Sequence, residues 1–241
     1  MSLGLKKINY SNGNLYGPAT VTDGSNYSIS STSKFGDGSL FANDPTEIST
    51  SNLTMQINVN YDWDFSADQT WTIEAWLRRT AGNGGVGTSG HWDILVIDST
   101  YRWVYNDFDP NTNNGLYASG TGMSSPGPDA NRQISTANFT HFACVCNGSN
   151  AADNHKTYLD GVLINTGTYS TIGSNRSIQI GVVNNASAGG EVLQIKWDEF
   201  RVSNNQRYTA DFTPSASAFS TDANTLLLMH FDQTNSYSDS A

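Results

Sequence analysis

Two adjacent acidic residues are of a type that takes part in catalysis. Asp198 and Glu199 stand side by side in the segment KWDEFRVS, and pairs of carboxylates cleave glycosidic bonds in most polysaccharide hydrolases. The two carboxyl groups must flank one substrate, about 5 Å apart in retaining enzymes and about 6.5–9.5 Å apart in inverting ones. Because successive side chains of a strand point to opposite faces, we expect these two acids to be structural.

The alternation of a strand also predicts the neighbours of each acid. Asp198 is expected to share a face with Phe200 and Val202, and Glu199 to share the other face with Trp197 and Arg201. An acid pair on one strand would need a spacing of two residues, and no glutamate is followed by an acid at that spacing. The four glutamates are Glu47, Glu74, Glu191 and Glu199. A hydrolase is therefore disfavoured, although an acid pair from separated strands stays open.

One segment is a candidate calcium site. Asp107, Asp109, Asn111 and Asn113 alternate in NDFDPNTNNG, as the oxygen ligands of calcium loops do. The segment lacks the central glycine and the final glutamate of an EF-hand loop, and its residues also favour an ordinary turn. Calcium and a plain hairpin loop both remain open, and no other metal or cofactor is expected. The sequence contains no HExxH, GxSxG or P-loop motif.

An aromatic-rich stretch supplies the candidate ligand-binding residues. Trp92, Tyr101, Trp103, Tyr105 and Tyr117 lie close together in the sequence. Tyr101, Trp103 and Tyr105 alternate along one predicted strand and would share a face, on which sugar rings could stack. We take Trp92, Tyr101, Trp103 and Tyr105 as the candidate glycan-binding residues. The alternative is that the row packs in the core, where large aromatic side chains commonly lie.

The two cysteines are predicted to be reduced. Cys144 and Cys146 would lie on the same face of one strand, too close in sequence for an easy disulfide. No further cysteine exists to complete a metal site. We expect at least one of them to pack as a small apolar side chain.

Composition and charge disfavour two classes of partner. The chain has 241 residues, of which 14% are charged, and a formal net charge of -10. Nucleic acid demands a basic face, so direct nucleic-acid binding is not expected. No segment approaches the roughly 20 apolar residues of a membrane-spanning helix, and the N-terminal residues lack the apolar run of a secretory signal peptide. We expect no membrane insertion.

Short segments with strand patterning follow one another along the chain and predict an all-β sandwich or barrel. The segment TWTIEAWLRR places Trp71, Ile73, Ala75 and Leu77 on one face. Asp160–Gly161 predicts a two-residue hairpin turn. The other predicted strands are YSIS, TMQINVNY, HWDILVID, TYRWVYND, THFACVCN, SIQIGVV, VLQIKWDEFRVS and TLLLMHF. The last is apolar on both faces, which favours burial.

Five segments, in order, resemble the laminin-G-like, concanavalin-A-like jelly-roll modules. They are KFGDGSLFA, WTIEAWLRR, FTHFACVCNG with KTYLDGVLINTGT, WDEFRVSNNQRYTADFTP and DANTLLLMHFD. The resemblance implies an all-β, two-sheet antiparallel β-sandwich over residues 34–232. A lead-in with edge strands would occupy residues 1–33, and a tail residues 233–241. It also makes the segment around Asp198 a framework signature of the fold.

The variety that the chain resembles is common in tailed-phage structural proteins and in large bacterial surface proteins. This implies a non-enzymatic structural, decoration or adhesion protein of a virion, with glycan binding at the host surface as a further expectation. Its partners would be other virion or surface proteins, including copies of itself. The alternatives are a free or cell-surface lectin and, less favoured, a polysaccharide hydrolase.

Overall fold

The structure, a computed structural model, describes residues 27–43, 53–57, 65–82, 91–97, 101–106, 115–119, 132–169, 178–184 and 193–232. Within these ranges the chain forms thirteen strands. They are β1 (Tyr27–Ser30), β2 (Ser39–Asn43), β3 (Leu53–Ile57), β4 (Thr70–Gly82), β5 (His91–Ile97), β6 (Tyr101–Asn106), β7 (Gly115–Ser119), β8 (Thr140–Asn147), β9 (His155–Leu159), β10 (Val162–Gly167), β11 (Ile178–Asn184), β12 (Leu193–Ser203) and β13 (Thr225–Met229). These described ranges contain no helix long and apolar enough to cross a membrane.

The strands form two antiparallel sheets, so the predicted β-sandwich is confirmed. The larger sheet has eight strands in the order β1-β2-β12-β4-β8-β9-β10, with β13 also paired to β12. The smaller sheet has five strands in the order β3-β11-β5-β6-β7. Strands β2 and β13 pair with different parts of β12, at residues 194–197 and 200–203. The segment YSIS forms β1, at one edge of the larger sheet.

The main core lies between the two sheets and receives the predicted face of β4. Trp71, Ile73, Ala75 and Leu77 are all buried there, together with side chains of the smaller sheet. Each large apolar side chain buried in this way contributes roughly 1.5–3 kcal/mol. Cys144 and Cys146 are free thiols buried in the same core, as their spacing predicts. The apolar strand β13 is buried as expected.

The outer face of the larger sheet is covered by a second layer. Residues 204–224, here called the crossing loop, connect β12 to β13 and pack aromatic side chains against this face. Tyr208 and Phe212 stack with ring centroids 3.5 Å apart and contact Tyr158. Phe219 packs with Trp76 in a separate cluster. The crossing loop therefore lies over Glu74 and Glu199 on this face.

The hairpin predicted at Asp160–Gly161 joins β9 to β10. Both residues have positive φ, 48° and 79°, as a type I′ turn requires. The turn also contacts the crossing loop, because the amide of Phe212 donates a hydrogen bond to the carbonyl of Gly161 at 2.9 Å.

Candidate functional site

Asp198 and Glu199 lie on the same side of the larger sheet, so the predicted face assignment is wrong. The ladder between β12 and β4 shifts register between Asp198 and Arg201, and Glu199 has φ 54°. This β-bulge inserts one extra residue, and as a result both Trp197 and Phe200 point into the core. Both carboxylates therefore fall outside the core, under the outer layer.

Each carboxylate of the pair holds a different loop. Asp198 Oδ2 accepts hydrogen bonds from the amides of Lys34 and Phe35, at 2.7 and 3.1 Å. Glu199 Oε2 accepts one from the amide of Phe219 at 2.6 Å, and its Oε1 lies 2.7 Å from His230 Nδ1. Both acids are fully buried. The expected structural role is thus what the geometry supports, although Glu199 is paired with a histidine and not with Arg201.

Burial changes the proton affinity of these groups. Burial, opposed by the two amide hydrogen bonds and reinforced by the charge of Glu199, raises the pKa of Asp198 to about 7. Its Oδ1 atom is buried and has no hydrogen-bond partner within the described ranges. The hydrogen bond to Glu199 raises the pKa of His230.

A third buried carboxylate, Glu74, is the centre of a network that sequence patterns did not reveal. Its Oε1 accepts hydrogen bonds from Arg201, with Nη2 at 2.7 Å. Its Oε2 accepts one from the Tyr208 hydroxyl at 2.7 Å and lies 3.2 Å from His141 Nε2. Burial raises the pKa of Glu74, but the hydrogen bond from His141 and the charge of Arg201 lower it more. A completely buried acid with this many partners ties the crossing loop to β4, and no substrate can reach it.

The prediction of an exposed aromatic platform is wrong. Tyr101, Trp103 and Tyr105 share one face as expected, but that face points into the main core, where each is 1% exposed or less. Trp103 donates its indole hydrogen bond to Thr157 Oγ1 at 3.1 Å. These rings pack between the two sheets in the main core, so they cannot stack on a sugar. Trp92 lies in β5, and its side chain falls outside the described residues.

The candidate calcium ligands Asp107, Asp109, Asn111 and Asn113 also fall outside the described residues. Among the residues that the structure does describe, no group of three or more histidine, cysteine, aspartate or glutamate side chains is placed to hold a metal ion.

The outer face of the smaller sheet carries a different polar group, here called the candidate binding face. In the ladder, Val104 of β6 lies opposite both Asp93 of β5 and Tyr117 of β7. Since Trp103 points inward, Val104 and its neighbour Arg102 point outward. Arg102 Nη1 lies 3.2 Å from Asp93 Oδ2, and the two side chains are 41% and 8% exposed.

Tyr117 completes the candidate binding face. It is half-buried. Burial, followed by the charge of Asp93, raises the pKa of its phenol, and Arg102 opposes this. The hydroxyl therefore stays protonated near neutral pH and can donate a hydrogen bond, but it is a poor general base. Tyr117 is one of the aromatic residues of the stretch that begins at Trp92. The sequence pattern did not single out Arg102 and Asp93, because Arg102 alternates with the large aromatic residues of its strand.

Comparison with known proteins shows the fold. No family model matches the chain and no curated protein matches it. Among solved structures, the botulinum neurotoxin serotype G binding domain matches with TM-score 0.51 and 13% identity, over 82% of this chain and 45% of that one. The cellulose induced protein Cip1 matches with TM-score 0.51 and 12% identity, over 79% of this chain and 90% of that one. The receptor binding domain of botulinum neurotoxin D matches with TM-score 0.50 and 12% identity, over 85% and 50%.

The chain spans about half the length of the two neurotoxin domains that it matches. At such low identity the likeness establishes the two-sheet jelly-roll sandwich and not the ligand. Binding domains are among the proteins that share this architecture.

Proposed function

We propose that this chain is a non-catalytic binding module that attaches to glycans through the candidate binding face. The observation that carries the proposal is the partly exposed Arg102, which the buried Asp93 holds beside Tyr117 on the outer face of the smaller sheet. We further propose, from the resemblance of its five segments, that the module is an adhesion or decoration protein of a tailed-phage particle.

The chemistry of the candidate binding face suits sugar hydroxyls. Arg102 presents several N–H donors, the buried Asp93 fixes the position of this guanidinium group, and Tyr117 adds an aromatic ring with a hydroxyl group. Together these groups complement a sugar ring, which carries neighbouring hydroxyl groups on one edge and C–H bonds on its face. Arg102 and Asp93 also neutralise each other, so a neutral glycan is the favoured ligand.

A non-catalytic role is supported by the carboxylates of the described residues. Asp198, Glu199 and Glu74 are buried under the outer layer and bound to loops. A hydrolase needs two acids that reach the substrate, and these three buried acids do not reach the surface of the described part of the chain.

The test of the ligand is a glycan-array screen of the purified chain, once with calcium and once with a chelator. We expect binding to a class of neutral glycans, and Arg102→Gln should weaken it about tenfold, the cost of one charge-assisted hydrogen bond. Arg78→Gln removes the same charge from the opposite sheet and should leave this binding unchanged. Loss of binding with the chelator would show that binding needs a divalent cation, with Asp107 and Asp109 as its candidate ligands. Equal binding by wild type and Arg102→Gln would contradict the proposed site.

Two further measurements test the remaining parts of the proposal. Release of reducing ends or unsaturated sugars from a bound polysaccharide would contradict the non-catalytic role. Mass spectrometry of purified phage particles should find the chain at a fixed copy number. Its absence from particles, combined with glycan binding, would favour the free or cell-surface lectin.

A further inference from the structure

Two positive side chains face each other on the outer face of the larger sheet. Arg78 of β4 and Lys196 of β12 are direct partners in the ladder. Both point outward, because their strand neighbours Leu77, Ile195 and Trp197 lie in the main core. Like charges directly opposite each other destabilise a sheet. Burial and then the charge of Arg78 lower the pKa of Lys196 accordingly.

A third positive side chain lies beside them. Lys34 Nζ lies 4.0 Å from the ring centroid of Trp76, and Trp76 is two residues before Arg78 on the same face of β4. We call Lys34, Arg78 and Lys196 the basic patch. It belongs to the sheet opposite the candidate binding face and shares no residue with it.

The charges of the basic patch are not neutralised within the described part of the chain. Lys196 Nζ donates to Ser30 Oγ at 2.7 Å, and Arg78 Nε donates to the carbonyl of Thr136 at 3.1 Å. None of the three has a carboxylate within ion-pair distance in those ranges. The chain has 22 acidic and only 12 basic residues, so such an unpaired group stands out and points to an external anion.

We propose that the basic patch binds an anionic group, a carboxylate or a sulfate, carried by an acidic polysaccharide. Arg78 uses Nε for Thr136, which leaves its two terminal nitrogens for a bidentate contact with such a group. Lys196, which is 9% exposed, and Lys34 add positive charge to the same face of the sheet. Nucleic acid is a poorer occupant, because three cations offer few contacts to the regularly spaced phosphates of a duplex.

Paired polymers test this assignment. Dextran sulfate and uncharged dextran share a backbone, polygalacturonate supplies carboxylates, and inorganic sulfate supplies the anion alone. By affinity gel electrophoresis we expect retardation by dextran sulfate or polygalacturonate and none by dextran. The retardation should weaken as salt rises, because salt screens exposed charges. Absence of retardation by both charged polymers at low salt would overturn the proposal. So would binding of inorganic sulfate without either polymer, or tighter binding of duplex DNA than of either polymer.

Two variants separate a built site from general attraction. Arg78→Gln should weaken binding of the charged polymer about tenfold. Lys156→Gln removes one positive charge from β9, two strands from β4, where Lys156 bonds the carbonyl of Thr209. It should change binding by less than about twofold. Equal loss in both variants would overturn the proposal. Arg78→Gln should also unfold at the same temperature as wild type or higher, because it removes the repulsion from Lys196.

Discussion

Glu199 follows Asp198 directly on β12, yet the two carboxylates hold two different loops against the same face of the sheet. Asp198 binds the amides of Lys34 and Phe35, whereas Glu199 binds the amide of Phe219 in the crossing loop. The bulge makes this possible, because it turns both acids outward within one strand. A pair that resembles a hydrolase's acid and base in sequence is a double anchor for the outer layer.

Asp198→Asn should change how stability depends on pH. The folded-state pKa of Asp198, about 7, exceeds its ordinary value of 3.8, so the folded chain holds a proton that the unfolded chain releases. Its contribution to stability is fully present below the ordinary pKa and is lost as the pH rises through about 7. Asparagine mimics the protonated acid and does not titrate. Relative to wild type, the variant should gain about 4 kcal/mol in free energy of unfolding across that window.

Urea unfolding at a series of pH values measures this difference. Asp153→Asn, an exposed acid with φ 59° that asparagine tolerates, controls for the loss of one negative charge. If the free energies of unfolding of wild type and Asp198→Asn change with pH in parallel, Asp198 is ionised in the folded chain.

Glu74→Gln should loosen the crossing loop. The substitution removes the charge that neutralises Arg201, and breaking a buried ion pair costs about 3 kcal/mol or more. Tyr208→Phe removes one hydrogen bond to the same carboxylate and should cost about 1 kcal/mol. Hydrogen exchange over residues 204–224 should accelerate in Glu74→Gln far more than over β8. Equal acceleration in both regions would mean that the network stabilises the whole fold and not the loop.

Sequence alternation predicted the strands and the hairpin because each depends on residues close in sequence. The bulge was not predicted, although the sequence carries a sign of it. Trp197 and Phe200 share a face but are three residues apart, whereas side chains on one face of a regular strand are two residues apart. The network around Glu74 could not be predicted, since Arg201 and Tyr208 reach it from more than 120 residues away. The aromatic row was assigned to one face correctly, but alternation alone cannot tell the core side from the outer side.

Gly161→Ala should destabilise the chain through the contact between the hairpin and the crossing loop. Gly161 has φ 79°, and a Cβ atom there would overlap the carbonyl oxygen of Phe212. Strain and overlap together should cost about 2 kcal/mol or more in free energy of unfolding. Asp160→Asn is the matched control, since asparagine tolerates the left-handed conformation and keeps the oxygen that accepts the His141 amide. Thermal unfolding of both variants measures the difference, and equal melting temperatures would contradict the predicted overlap.

His155→Phe should make the chain more resistant to acid. His155 is fully buried in β9 among Trp71, Trp103 and Tyr169, and neither ring nitrogen has a hydrogen-bond partner in the described part of the chain. Burial lowers its pKa from 6.5 to about 3. The unfolded chain therefore binds a proton that the folded chain refuses, and stability is lost as the pH falls from 6.5 towards 3.

The loss from His155 over that pH window amounts to about 5 kcal/mol at most. Phenylalanine keeps the ring, does not titrate and has no unpaired polar atom, so His155→Phe should match wild type or exceed it at neutral pH and exceed it clearly at acidic pH. His155→Gln separates the loss of titration from the loss of unpaired polar atoms, because it removes only the titrating group. Its buried amide lacks partners, so this variant should be less stable than His155→Phe at neutral pH. Its free energy of unfolding should be as independent of pH over this window as that of His155→Phe. Urea unfolding of the three proteins between neutral and acidic pH measures this. A wild-type profile parallel to that of His155→Phe would show that water or protein rearrangement accommodates the charged imidazole in the folded state.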